Sequence, residues 1–199
     1  AGIGDRALKS AESGIRLLIE RTTPAALSEL SFDRLDLYLG CDVNGHTLFD
    51  SIFGWGSGAI ARSAEKGAVF RDIEAPSMVG LTSDEGRLPR ARASFEGYRL
   101  LREYFLMPER FHYARISGLT DIVSQSTGPA LEIVILLDSP QIDLRRIKTS
   151  DFGLFISPIV NLFERECNIV KLDPGRTSHL VHVDRTRPRD FEIYDLLRV

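Results

Sequence analysis

The chain passes between stretches where apolar residues alternate with polar ones and stretches where they recur at helical spacing. Ile15–Glu20 reads as a strand. Leu35–Leu39 reads as another, with Leu35, Leu37 and Leu39 on one face and Asp36 and Tyr38 on the other. Between them, Thr23-Pro24 predicts a short helix running to Leu30, because threonine caps free N–H groups and proline suits the first helical position. Asp42 predicts an N-cap for a helix whose Leu48, Phe49, Ile52 and Phe53 form one apolar stripe, and Gly54 ends it. Asn44-Gly45 is a competing hairpin signal, but the stripe requires the helix. Ala59–Ala64 and Ala68–Ile73 flank Glu65-Lys66-Gly67 as a hairpin. Ala75–Ala93, with its prolines, glycines and clustered charges, predicts a long surface loop.

Ser94 predicts the cap of a helix to Met107 that buries Tyr98, Leu101 and Phe105, with Pro108 stopping it. Phe111–Ile116 reads as a strand. Ala130–Leu137 is the most apolar strand and is expected to be central, since strands buried on both faces lose their alternation. Ser139-Pro140 opens a helix to Lys148, and Phe152–Ile156 follows as a strand. Three more short strands are expected at Ile159–Phe163, Ser178–Val183 and Phe191–Leu196, with Asp173-Pro174-Gly175 as a turn. This pattern predicts an α+β fold: mixed, mainly antiparallel sheets with short helices packed on their faces. It divides either into halves 1–93 and 94–199, the second ending in the run of short strands, or into one continuous domain. A strand–proline–helix–strand unit occurs at both 15–39 and 131–156, either as an old duplication or by chance recurrence of a common unit.

Composition adds exclusions. The 199 residues are 43% hydrophobic and 27% charged, ordinary values for a globular chain that can bury a core. A net charge of -3 argues against a nucleic-acid surface. Cys41 and Cys167 could form at most one bridge and are expected as free thiols. The longest aliphatic run, Ile133–Leu137, is far too short to cross a bilayer.

Candidate chemistry is sparse. His179 and His182 fall in a strand pattern that places them on opposite faces, so no shared metal is expected. Gly54–Ala59 loosely fits a dinucleotide fingerprint but follows a helix instead of a strand. Asp151-Phe152-Gly153 copies a kinase tripeptide without the accompanying motifs. No catalytic residue and no cofactor are expected. Two features are candidate partner contacts. Trp55, in a glycine-rich turn, either covers the edge of the core or anchors a partner. Arg185, Arg187 and Arg189 alternate with Thr186 and Pro188, so an extended backbone would project all three the same way. Either Asp184 and Asp190 neutralise this comb or it docks on acidic residues of a partner.

Several blocks carry a family resemblance. They are Pro158–Arg165, Ile169–Asp173, Val183–Pro188 and Phe191–Tyr194, preceded by Leu35–Asp42, Leu48–Phe53, Gly97–Phe111 and Ser117–Leu119. In this order they resemble TssF, a baseplate protein of the bacterial type VI secretion system, and the chain is similar to an internal piece of that longer protein. The resemblance implies a structural role without an active site. It implies TssG and TssK as partners, a second TssF copy in the same wedge, and the VgrG spike at the centre of the assembly. It further implies a contractile, phage-tail-like machine standing at the cytoplasmic face of the inner membrane, with only indirect contact to the membrane complex. The alternative class is an enzymatic or small-ligand α+β domain, which a deep pocket with convergent polar groups would favour.

Overall fold

A computed structural model describes residues 11–89, 95–139 and 146–198. The chain separates into two compact units, Ala1–Pro158 and Ile159–Val199.

The first unit is α+β. Its strands are β1 (Ser13–Glu20), β2 (Leu35–Tyr38), β3 (Gly56–Ser63), β4 (Arg71–Ile73), β5 (Ser77–Met78), β6 (Tyr113–Ile116) and β7 (Ala130–Leu137). Its helices are α1 (Val43–Gly54), α2 (Glu96–Leu106) and α3 (Thr120–Gln125). One sheet has the order β1-β7-β3-β4 and the other β2-β6-β5, and every pairing is antiparallel. Both sheets take strands from each side of residue 93.

The central strand is where the apolar run placed it. Leu131, Ile133, Ile135 and Leu137 project from one face of β7 into the main core. There they meet Ile15 and Ala61 of neighbouring strands, Leu37 and Ile116 of the second sheet, and Leu48 and Ile52 of α1. Leu136 and Val134 lie on the opposite face with Ile60 and Phe70 in a smaller cluster. Glu132 shares that face, held by Arg16 and by Arg62, whose Nε donates to Oε2 at 2.7 Å.

The helix reading of 42–54 is correct. The Asp42 carboxylate accepts from the Gly45 amide at 2.8 Å, and the apolar stripe packs inward. Gly45 serves close approach here, because a Cβ would sit 2.2 Å from the Leu39 carbonyl oxygen. The hairpin around Glu65-Lys66-Gly67 also forms, as β3 and β4.

Other expectations fail for physical reasons. Thr23-Pro24 opens no helix: the backbone bends there, and only a 3-10 turn at Leu27–Glu29 follows, without a side-chain cap. The 75–93 loop contributes β5, which pairs with β6. Phe152–Ile156 is not a strand. Gly153 alone bridges to Tyr38, and Phe155 adopts a φ of 58° that ends the extended run. The expected helix from Ser139 to Lys148 lies mostly outside the described residues. The α3 helix was not expected, because what holds its first residue is remote in sequence: the Asp33 carboxylate accepts from the Thr120 amide at 3.3 Å and from its hydroxyl at 2.6 Å.

The second unit contains no strand among its described residues, so the expected strands Ile159–Phe163, Ser178–Val183 and Phe191–Leu196 are overturned. Ile159, Ile169 and Leu180 are strongly exposed, and strand propensity without a neighbouring strand to pack on does not make a sheet. The turn at Asp173 does form, with Arg176 N donating to Asp173 O at 3.0 Å.

Candidate interaction surface

Helix α2 departs furthest from its sequence pattern. Tyr98, Leu101 and Phe105, the residues expected to be buried, are 68%, 57% and 79% exposed. The buried residues of the helix are Arg99 and Glu103. The helix is therefore turned about its axis, with charge inward and its apolar stripe outward.

The inward charges are held by a closed set of partners. Arg99 Nη1 donates to both Glu103 oxygens, at 2.9 and 3.0 Å, and its Nε donates to Glu96 at 2.6 Å. Arg110, from the 3-10 turn Pro108–Phe111 that follows α2, pairs with the other side of Glu103. The amides of Arg87 and Leu88 both donate to Glu103 Oε1 at 2.8 Å. Arg110 Nη2 donates to the carbonyls of Gly80 and Glu85, at 3.1 and 3.0 Å, and Arg99 donates to Thr82 O at 3.2 Å. Gly80 allows this closeness with a φ of 97°, and its missing side chain leaves room for the Arg110 guanidinium. The cluster thus ties the 80–88 loop onto α2. Burial alone would raise the Glu103 carboxyl, but the two amides and the two guanidinium groups hold it below the usual carboxylate range.

A second charge group adjoins it. Arg115 on β6 forms a two-pronged contact with Asp36 on β2, at 2.8 and 2.9 Å, and donates to Glu85 at 2.6 Å. These residues, with Arg34, Arg87 and Arg110, line a cavity of about 300 Å³. Asp36, Glu85, Arg110 and Arg115 are already engaged with one another or with Glu103.

The outward face of α2 carries Tyr98, Leu101 and Phe105, with Phe95 just before the helix, Tyr104 on its flank and Leu106 exposed at its C-terminal end. Its rings are mutually braced: Phe95 and Tyr98 meet edge-on at 5.9 Å, Tyr104 meets Phe105 at 5.6 Å and Phe111 at 6.0 Å. Sequence periodicity found this stripe but assigned it the wrong side.

Trp55 sits at the C-cap of α1 and is half exposed. The glycines after it belong to β3, with a register shift between Gly56 and Gly58, so they do not form a free turn. The arginine comb is not extended. Residues 185–189 run through turns, Arg185 bonds to the Ile169 carbonyl at 3.2 Å, and Arg187 pairs with Asp190. Arg189 is exposed nearby. His179 accepts from the Asp173 amide at 2.8 Å, and no metal-ligating cluster occurs among the described residues. Cys41 and Cys167 are free thiols.

The family model for the type VI secretion system protein TssF matches residues 3–199. The chain belongs to the TssF family. It is 32% identical over 192 residues to type VI secretion system component TssF1 of Pseudomonas aeruginosa, which covers 95% of this chain and 31% of that protein. Its fold resembles a chain in the cryo-electron microscopy structure of the TssK-TssF-TssG baseplate subcomplex, with a TM-score of 0.65, 22% identity, and coverage of 82% of this chain and 33% of that one. The chain thus spans about a third of the TssF1 length. Among the described residues no helix is long and apolar enough to cross a membrane.

Proposed function

We propose that this chain is a structural component of a type VI secretion baseplate wedge, a scaffold that assembles with TssG and TssK around the VgrG spike and supports the contractile tail. The observation that carries this reading is the TssF-family match across residues 3–199. The fold likeness to a chain of the TssK-TssF-TssG subcomplex supports the same partners. A second copy of the protein in the wedge belongs to this reading, as does a place at the cytoplasmic face of the inner membrane without insertion into it. The protein is not an enzyme in this reading: it holds its neighbours and lets them rearrange. The half-exposed Trp55 and the exposed side chains of Arg185, Arg187 and Arg189 are proposed as partner contacts, the arginines meeting acidic residues.

The test is co-expression of the protein at its full encoded length with TssG and TssK of the same organism, followed by size-exclusion chromatography and mass measurement. The expected result is one co-eluting assembly. A protein that elutes free of both would overturn the assignment.

A further inference from the structure

We propose that residues 80–88 are a strap, a single cooperative unit that charge latches across the fold and that comes off as one piece while both sheets stay intact. The strap is independent of the baseplate reading, and its test needs no partner protein.

Three observations carry it. The first is what the segment lacks. None of its residues belongs to either apolar cluster, and its 3-10 turn, Ser83–Glu85, contains no buried residue. The cavity of about 300 Å³ has Gly80, Glu85 and Arg87 of the segment in one part of its wall and Arg110, Tyr113 and Arg115 in another, so the segment is not packed down there. Few buried apolar contacts put a segment at the low-stability end of a fold. The second is how it is held. Among the described residues, the hydrogen bonds that reach it from outside come from four side chains, Arg99, Glu103, Arg110 and Arg115. Arg99 and Arg110 both pair with Glu103, so losing one of these attachments loosens the others. The third is a buckle. The Glu85 carboxylate accepts from the Gly80 amide at 2.7 Å, which closes the segment on itself, and from Arg115 of β6 at 2.6 Å, which fastens it to the sheet.

A segment on independent tethers would fray from one end. This one holds its own shape through Glu85 and is gripped at both Gly80 and Glu85 by the same Arg110 guanidinium, so it leaves as a body. Gly80, with its φ of 97°, stands at one end as the pivot. Release uncovers Glu103, Arg110 and Tyr113, all buried when the strap is closed. The pairing of β2 with β6 takes no residue from the strap and survives its release.

The test is hydrogen exchange read by mass spectrometry on the full-length protein, in peptides covering 79–84, 85–89 and 130–137. In wild type the first two peptides are expected to open together and to exchange faster than 130–137, the central strand. Glu85→Gln is expected to speed both of them by at least about tenfold and to leave 130–137 unchanged. The deciding readout is peptide 85–89. Its Arg87 and Leu88 amides donate to Glu103 and not to Glu85, so a purely local loss at Glu85 would leave them protected. Arg115→Gln, which opens the buckle from the β6 side, is expected to give the same pattern. If Glu85→Gln speeds 79–84 alone, the tethers are independent and there is no strap. Wild-type exchange in 79–89 no faster than in 130–137 would also overturn the proposal, because the segment would then open only with the whole protein or lie under the rest of the full-length chain. So would a variant in which all three peptides speed up together, since Glu85 would then act on global stability.

Discussion

Replacing Glu103 with alanine tests the buried charge cluster directly. The Glu103 side chain is 2% exposed, and its partners Arg99 and Arg110 are 6% and 1% exposed. Removing the carboxylate leaves Arg110 without its ion-pair partner and Arg99 with Glu96 alone, and takes the acceptor from the Arg87 and Leu88 amides. Breaking one side of a buried ion pair costs about 3–5 kcal/mol, because the remaining charge stays desolvated. For a chain of this size each kcal/mol moves the melting temperature by about 2–4 °C, so the variant should melt on the order of 6–20 °C lower. Urea melts followed by circular dichroism give the same quantity as a lower midpoint at unchanged slope. Replacing the three residues together by apolar ones, Arg99→Met, Glu103→Leu and Arg110→Met, should cost less than Glu103→Ala, since no buried guanidinium is left without its carboxylate, although Glu96 loses Arg99 and the Arg87 and Leu88 amides lose their acceptor. A Glu103→Ala loss below about 1 kcal/mol would refute the reasoning, because it would mean that the arginines reach water at no cost.

Two further outcomes follow from the fold. Leu136→Ala removes a buried side chain from the smaller cluster with Ile60 and Phe70, and should cost about 2–3 kcal/mol in urea melts, less than Ile133→Ala in the main core; a loss under about 1 kcal/mol would mean that this face of the sheet is not packed. Hydrogen bonds from the Thr127 and Ser63 hydroxyls and the Gly128 amide pull the Glu65 carboxyl from 4.5 to about 2. A carboxyl depressed on folding adds stability that is fully present above its unfolded value and lost as pH falls through its folded one, so Glu65→Gln should flatten the acid limb of stability between about pH 4.5 and pH 2. Parallel acid limbs in wild type and variant would show that Glu65 does not hold the 127–128 turn.

What the sequence revealed tracks how local the deciding forces are. Residues 130–137 were legible as a central strand because the apolar run Ile133–Leu137 has few places to go in a small fold. The α1 helix was legible because its cap, Asp42, and its stripe lie within one short stretch. The α3 helix was missed because Asp33, which holds its first residue, is 87 residues away. The three strands expected after residue 158 rested on propensity alone, and propensity says nothing about whether a partner strand exists. The extended backbone expected at 185–189 was missed likewise: the Asp184 carboxylate accepts from the Thr186 amide at 2.9 Å and stabilises a turn there. The apolar stripe of α2 was half legible. Its residues were found, but not the side on which they lie.

That error has a specific cause. A helical stripe of Tyr98, Leu101 and Phe105 implies burial, and hydrophobic periodicity carries no information on whether the burying surface is in the same chain. The opposite face of α2 reads as solvated from sequence, since arginine and glutamate are rarely buried unless paired. Here they are paired, and the partners come from elsewhere: Arg110 after the helix, and the amides of Arg87 and Leu88 before it. A buried ion-pair cluster contributes little net stability over an apolar replacement of the same shape. Its effect in this fold is on orientation. An apolar inward face would give α2 two equivalent sides, and either could pack against the 80–88 loop. With Arg99 and Glu103 inward, turning the helix over would strand Arg110 and two amides and expose nothing that could replace their acceptor. The charges therefore decide which side of α2 packs against the 80–88 loop and which side turns outward.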